Sequence, residues 1–581
     1  MNKRMGKYFF FFVILSGFCL AQPKLEYWDV DKTKLKSEEY YVKGVPHGKT
    51  TAYYQNGKTA KAGWYKNGKQ DSLWFYYYDD GTLKAIESFN RGLKQGKNSY
   101  YYKGAKLAQE TVFYKDSPDS TWTSWYENGK MKSKESFSKG KKHGAWVYFF
   151  DNGNIESEGQ FVLNRQDGSF SNYFRNGVLS EKGNFCEGKP CGIWLAYYEN
   201  GSNKSKKEYI DSLQFLIWDL WSEKGEQVIK EGIGKLTTVY PNGKIKSSGD
   251  YQGGMQNGIW YFFHSNGELE YQVNYLNNKM EGEYISFFSN KKRKSEGYYK
   301  ENSKSGHWNF YLEDGTLQMN GNFENGLRSG AWEYFYKNGK KESEGAFKMD
   351  KEVGTWNFWY ESGEKWRQGN FENGQKVGKW TTWFENGKKL QEGNYVSGKE
   401  NGEWVAWFEN GQLKDKGNYK MGESDGFWQG WYINGKPNYS GKFSNGKRNG
   451  KWEFWHEKSG KPREISTYVL GIKHGKWVQW TENGTFDSKG KYRRGKQHGV
   501  WEYYYETGAK MKEQRFNKGR LSGKAITWNS STQLVSIAHY KITSDKRKGH
   551  KQSVPHGTWI FFDKNGKEIN RITYKNGVKV R

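Results

Sequence analysis

The sequence predicts an all-β chain: an elongated, solenoid-like antiparallel sheet of tandem β-hairpins, in about 22 repeats of 24 residues. Three observations predict it. A Gly-x-Trp signature recurs, with Trp308, Trp332, Trp356, Trp380, Trp404, Trp428 and Trp452 spaced by 24 residues at every step. Asn-Gly pairs follow each anchor at a fixed offset, and Asn-Gly between apolar runs is a strong short-range hairpin signal. The runs between these signals, such as KWTTWFE and KKLQEGNY, are strand-length, rich in aromatic or polar residues, and fit no helical period.

Composition agrees. Aromatic residues make up 18% of the chain while all hydrophobic residues together reach only 34%, and there are 72 glycines. A disordered chain lacks aromatics; a pleated sheet with many tight turns uses both aromatics and glycine. Lysine and arginine number 93 against 64 acidic residues, for a formal charge of +29. Only 16 of the basic residues are arginine, the usual agent of bidentate base and phosphate recognition, so sequence-specific nucleic-acid binding is not expected. The lysine excess reads either as a solvated face that keeps an aromatic sheet soluble or as attraction to an anionic polymer or lipid surface.

The elements follow in chain order. Residues 1–21 carry a basic start (Lys3, Arg4, Lys7), an apolar stretch from Tyr8 to Phe18 and the small-x-small site Cys19-Leu20-Ala21. This is the pattern of a cleaved secretory signal peptide, and it predicts export to the periplasm, the outer envelope or the extracellular medium. Residues 22–42 are a lead-in or cap, residues 43–524 the array, and residues 525–581 irregular repeats with a basic insertion, KITSDKRKGHKQ. Further anchors are Trp122, Trp146, Phe170, Trp194, Trp260, Tyr284, Trp477 and Trp501, with weaker copies at Thr50, Trp74, Asn98, Trp218, Leu236, Ala525 and Trp559. The step from Trp218 to Leu236 is short by six residues.

Two turn signals mark each unit. The Asn-Gly pairs at 128–129, 152–153, 242–243, 338–339, 386–387, 410–411 and 565–566 are expected to form type I′ turns, with positive φ at both central residues. The glycine two residues before each anchor, preceded by Asn401, Asp425, Asn449 or His498, is expected to make the second turn. A lone hairpin is marginal in water, so repeats in series must cover one another's open strands.

The pattern G-x-[FY]-x-x-G-x-x-x-G-x-W-x-x-[WY]-[FY]-x-x-G, explicit from Gly369 to Gly387, resembles the MORN repeat in its bacterial variant form, found in proteins of the YwqK-type antitoxin family. The resemblance covers residues 43–580. It implies tandem hairpins without enzymatic activity or a cofactor, and it transfers no ligand residues. Eukaryotic MORN arrays are credited with phospholipid binding and protein scaffolding.

No catalytic motif is present, and the recurrent Glu127, Glu385, Glu409 and Glu482 occupy a turn slot of the repeat. His47, His143, His474, His498 and His556 share the slot three residues before an anchor. They could suggest a metal ladder, but successive slots stand about 10 Å apart in a sheet, too far for one ion, and the slot is read as a turn position. No metal site is expected. Cys186 and Cys191 flank a connection between strands and are a candidate disulfide of the exported chain.

A second tryptophan stands three residues after many anchors, most densely at Trp359, Trp383, Trp407, Trp431, Trp455 and Trp480. Strand alternation puts it on the face opposite the anchor, while aromatics at +2 and +4, such as Tyr334 and Tyr336, share the anchor's face. These six indoles either cover a thin sheet or form a stacking platform for a long ligand. The expected activity is that of an extended protein- or ligand-binding scaffold. Capture of a toxin in the manner of an antitoxin, and binding of an envelope glycan or anionic lipid, are the alternatives.

Overall fold

A computed structural model describes residues 22–544 and 550–580. The signal-peptide expectation over residues 1–21 lies outside the described residues, as does the tip of the basic insertion. Among the described residues there are forty-nine strands and no helix. The all-β fold class is as the sequence predicts: consecutive antiparallel hairpins in an open sheet, not closed into a barrel. Two compact units divide the chain. Among the described residues the first spans 22–265 and 275–279, and the second spans 266–274, 280–544 and 550–580.

Within the second unit the repeat is nearly invariant. A strand of eight residues, Lys365–Glu372, is followed by one of nine, Gln375–Trp383, then Lys389–Val396 and Lys399–Trp407. Each pairs antiparallel with the next. The turns, however, are exchanged relative to the sequence expectation. Residues 373–374, between the first two strands, form the type I′ turn: Asn373 has φ +51° and Gly374 +79°. The same two-residue turn recurs at Ser397-Gly398, Met421-Gly422, Asn445-Gly446 and Leu470-Gly471.

The Glu-Asn-Gly connection is instead a three-residue loop. Gly387 N–H donates to the Phe384 carbonyl and Phe384 N–H to the Lys388 carbonyl, at 3.0 and 2.8 Å. Only the glycine has positive φ, at +79°, so this is a type I turn closed by a glycine bulge. Asn386 is needed for its side chain, not for φ. Its Oδ1 accepts from Lys388 N–H, and its Nδ2 donates to the Glu409 carbonyl of the neighbouring loop at 3.2 Å. Lys388 Nζ reaches the Asn410 carbonyl at 2.9 Å. Loop is thus tied to loop by side chains in many repeats, with the same bonds at Asn128, Asn338 and Asn434.

The glycine two residues before the anchor is also not a turn. Gly402 (φ +81°) lies inside the strand Lys399–Trp407, where the register steps from Asn394↔Asn401 to Gly393↔Trp404. It makes a bulge that re-aims the strand before the tryptophan.

The first unit follows the same scheme with two departures. Leu93–Lys94 and Gly96–Tyr101 both pair with Leu83–Asn90, so one strand there is broken. The short step after Trp218 is met by truncation: the strands Gln227–Lys230 and Ile233–Val239 have four and seven residues. In the second unit the basic insertion lengthens one hairpin, Leu534–Ser544 against Lys551–Pro555, and Leu534–Ser544 also pairs with Gly557–Phe562.

Candidate ligand-binding surface

The anchor tryptophan builds one face of the sheet. Trp332 is 1% exposed. Its ring meets Phe323 and Phe347 edge-on at 5.2 and 6.0 Å, and Tyr334 in a stacked arrangement at 6.1 Å. The same contacts continue through Trp356, Phe358 and Phe371, so that rings from successive repeats form one core along the anchor face. Trp380 shows how an indole is buried on a single sheet. It lies flat on the backbone of Gly369, where a Cβ would stand 2.1 Å from Trp380 Cδ2. Its Nε1 donates to the Asn370 carbonyl at 3.1 Å. The glycine eleven residues before the anchor therefore provides space, and the following carbonyl satisfies the indole.

Some anchors lack this glycine. Before Trp477 and Trp146 the corresponding positions hold Ser466 and Glu135, and the Nε1 atoms of those two tryptophans are buried without a partner, whereas Trp122, with Thr111 there, still donates to the Val112 carbonyl at 3.0 Å. At position +4 a tyrosine ties repeat to repeat, as when the Tyr336 hydroxyl donates to the Trp359 carbonyl and Tyr360 to that of Trp383, both at 2.8 Å.

The six candidate stacking tryptophans, Trp359, Trp383, Trp407, Trp431, Trp455 and Trp480, are all half-buried, unlike the anchors. Their strands alternate them away from the anchor face. Lys341 sits over Trp359 at 5.7 Å, Lys365 over Trp383 at 5.3 Å and Lys389 over Trp407 at 5.5 Å. Lys341 pairs with Glu333 and Glu344 at 2.9 and 2.6 Å and Lys389 with Glu392 at 2.8 Å, while Lys365 bonds to Gln368 at 2.8 Å. The face is therefore polar, and at Trp359, Trp383 and Trp407 the indole carries a cation.

Glu502 pairs with lysines in the same way. Burial disfavours its charge, but hydrogen bonds from Lys510, Lys489 and Tyr504 outweigh this and lower it from 4.5 to about 2. A carboxylate depressed by folding stabilises above its unfolded value and loses that stabilisation as pH falls through the folded one. Stability should thus decline between pH 4.5 and about 2 partly through Glu502. The contribution is on the order of 1 kcal/mol, since ion pairs on a partly solvated sheet face are screened. Denaturant midpoints at both ends of this window should separate wild type from Glu502→Gln, which lacks that part of the decline.

Two of the five histidines in the slot bond to a turn, while His498 Nδ1 is buried without a partner. His47 Nδ1 lies 3.4 Å from Asn67 N–H and His556 Nδ1 accepts from Asn576 N–H at 3.3 Å, each in the next type I′ turn. Asn401 does the same for Met421. Among the described residues no three His, Cys, Asp or Glu side chains converge. Cys186 and Cys191 are bonded across the Glu187-Gly188 turn, with Cα atoms 5.8 Å apart.

The MORN repeat variant family matches residues 118–139, 142–162, 256–277, 280–301, 328–349, 376–397, 400–421, 497–518 and 555–576. The chain carries MORN-variant repeats. Each matched span begins four residues before an anchor and ends at or near the next type I′ turn, so a MORN unit is the hairpin closed by the three-residue loop. The type I′ turns join one MORN unit to the next. No curated protein matches the chain. Solved structures of TcdB2-TccC3 and of the Photorhabdus luminescens Tc holotoxin pore with mutation TccC3-D651A match 95% and 96% of it at 11% and 9% identity. The TM-scores are 0.13 and 0.12, and the chain covers 32% and 35% of those chains. Likeness at that level carries no argument about role.

Sequence reasoning located the anchors and the second tryptophans. It missed the cations four residues before the anchors, Lys304, Lys376, Arg328 and Arg448, which lie over anchor rings at 4.3, 4.6, 5.9 and 4.6 Å. A basic residue recurring at one repeat position was the available signal.

Proposed function

We propose that this MORN-repeat chain is an exported, non-catalytic scaffold that binds a protein partner along the face of the second tryptophans. The observation that carries the reading is the division of labour between indoles. The anchors from Trp356 to Trp477 are consumed by packing, with Trp452 1% exposed, whereas Trp359 to Trp480 stay half-buried on a polar face that carries Glu–Lys pairs at Lys341 and Lys389. A repeated amphipathic ring with a cation beside it suits extended recognition.

Cell fractionation combined with capture from envelope extracts tests this. The mature chain should be found outside the cytoplasm, and a Trp383→Ala/Trp407→Ala variant should keep its cooperative unfolding while losing the captured partner. A variant that unfolds readily yet still captures the partner would make these indoles structural and overturn the platform. A cytoplasmic chain bound to a toxin would favour the antitoxin reading. Binding that collapses with salt would instead favour a glycan or anionic-lipid surface engaged by the lysines.

A further inference from the structure

The slot four residues before an anchor holds a cation in seven repeats, and in four of them a carboxylate neutralises it; Lys304, Lys376 and Arg448 lie against rings instead. Lys94 pairs with Glu87 at 2.6 Å, Lys142 with Glu135 at 3.2 Å, Arg328 with Asp350 at 2.9 Å and Lys473 with Glu464 at 3.1 Å. Glu464 stands thirteen residues before its anchor, Trp477. In the repeat of Trp380 that position is Arg367, so a second cation replaces the carboxylate.

Both charges gather over one indole. Arg367 Cζ is 5.5 Å and Lys376 Nζ 4.6 Å from the ring centroid of Trp380, whose other face is closed by Gly369. Arg367 also lies 4.6 Å from the Phe358 ring, and its Nε is buried without a hydrogen-bond partner. Directly opposite it in register stands Thr382, where the neighbouring repeats at Trp332 and Trp356 have Tyr334 and Phe358. Among the described residues neither cation has a carboxylate at ion-pair distance. Glu400, one repeat on, favours the Lys376 charge less than burial and Arg367 oppose it. Lys304 is likewise held by rings, at 4.3 Å from Trp308, but it stands there as a single charge. Two like charges sharing the ring face of a buried indole are mutually repulsive, and an oxyanion between them would relieve this.

We propose that Arg367 and Lys376 form a binding site for a carboxylate of an acidic protein segment, which takes the place that Glu464 occupies beside Lys473. The site rests on the protein-binding reading above only in taking the ligand to be a protein; it lies on the anchor face and gives the partner a chemistry, an acidic stretch that places a carboxylate between Arg367 and Lys376.

The test is fluorescence anisotropy of a labelled octaglutamate peptide on the full chain, with octaglutamine as control and inorganic phosphate as competitor. Octaglutamate should bind, and Lys376→Gln should weaken it about tenfold or more. Arg367→Glu, which rebuilds the self-neutralised arrangement of Lys473 and Glu464, should weaken it at least as much and remain folded. Lys348→Gln, an exposed lysine, should change affinity by less than about twofold. The site is overturned if Lys376→Gln and Arg367→Glu bind like Lys348→Gln, or if octaglutamate binds no tighter than octaglutamine. It is also overturned if phosphate displaces the peptide more effectively than free glutamate does. Because Trp383 and Trp407 lie on the opposite face, a negative result here leaves the tryptophan platform standing. Loss of that platform would not remove Arg367-dependent peptide binding.

Discussion

Gly369→Ala should destabilise the protein by about 3 kcal/mol, as a methyl group forced into a filled site does. Gly369 has no positive φ, so the backbone itself accepts alanine. The obstacle is space: the new Cβ would stand 2.1 Å from Trp380 Cδ2, and 2.2 Å from Cε2. The indole must lift, which breaks its bond to the Asn370 carbonyl and opens its edge-on contact with Phe371 at 5.1 Å. Trp477 and Trp146, which lack the glycine, have an unpartnered N–H, whereas Trp122 with Thr111 in that slot keeps its bond to the Val112 carbonyl at 3.0 Å, so the cost at Gly369 is expected from the crowded ring more than from the hydrogen bond. Gly387→Ala is the informative comparison. Nothing lies within 4 Å of its Cβ position, but its φ is +79°, so only a backbone cost of about 1 kcal/mol applies. Denaturant unfolding of the two variants decides. Equal losses would mean that Gly369 is not a packing glycine.

Trp332→Ala should cost about 4 kcal/mol, the range for emptying a buried aromatic site. The ring is 1% exposed, lies among Phe323, Phe347 and Tyr334, and donates to the Asn322 carbonyl at 3.1 Å. In a repeat array each unit is held mainly by its neighbours, so the loss falls on the interface between repeats. Unfolding should therefore broaden or split rather than shift as a whole. Trp332→Phe should retain most ring contacts and lose the hydrogen bond, at about 1 kcal/mol. The half-buried Trp383 should cost clearly less than Trp332 when replaced by alanine. If Trp383→Ala proved equally damaging in the same unfolding experiment, the aromatic row on the anchor face would not be the principal core.

Much of this was legible in the sequence because a two-residue side-chain alternation and a 24-residue period are properties of the chain itself. They assigned Trp332 and Tyr334 to one face and Trp359 to the other. The turns were misassigned for a physical reason. Asparagine before glycine can supply positive φ or side-chain hydrogen bonds, and the residue type does not say which is used. At Asn386 the partner is the Glu409 carbonyl, reached only when the loops of neighbouring repeats stack. The type I′ turns are not marked by one residue type, since their first position holds Asn373 and Asn445 but also Lys43, Leu163, Met421 and Leu470. The glycine at their second position, as in Gly374, Gly398 and Gly422, was the readable signal.

What the sequence by itself determined is the repeat, its phase on the tryptophans, and which residues alternate to which face, since these follow from spacing along one extended strand. The tertiary structure alone decided which glycine serves space and which serves φ, because that depends on the ring lying across it from the adjacent strand. It also decided that Arg367 and Lys376 share the face of Trp380, since strand pairing and side-chain direction bring together charges nine residues apart that no period links.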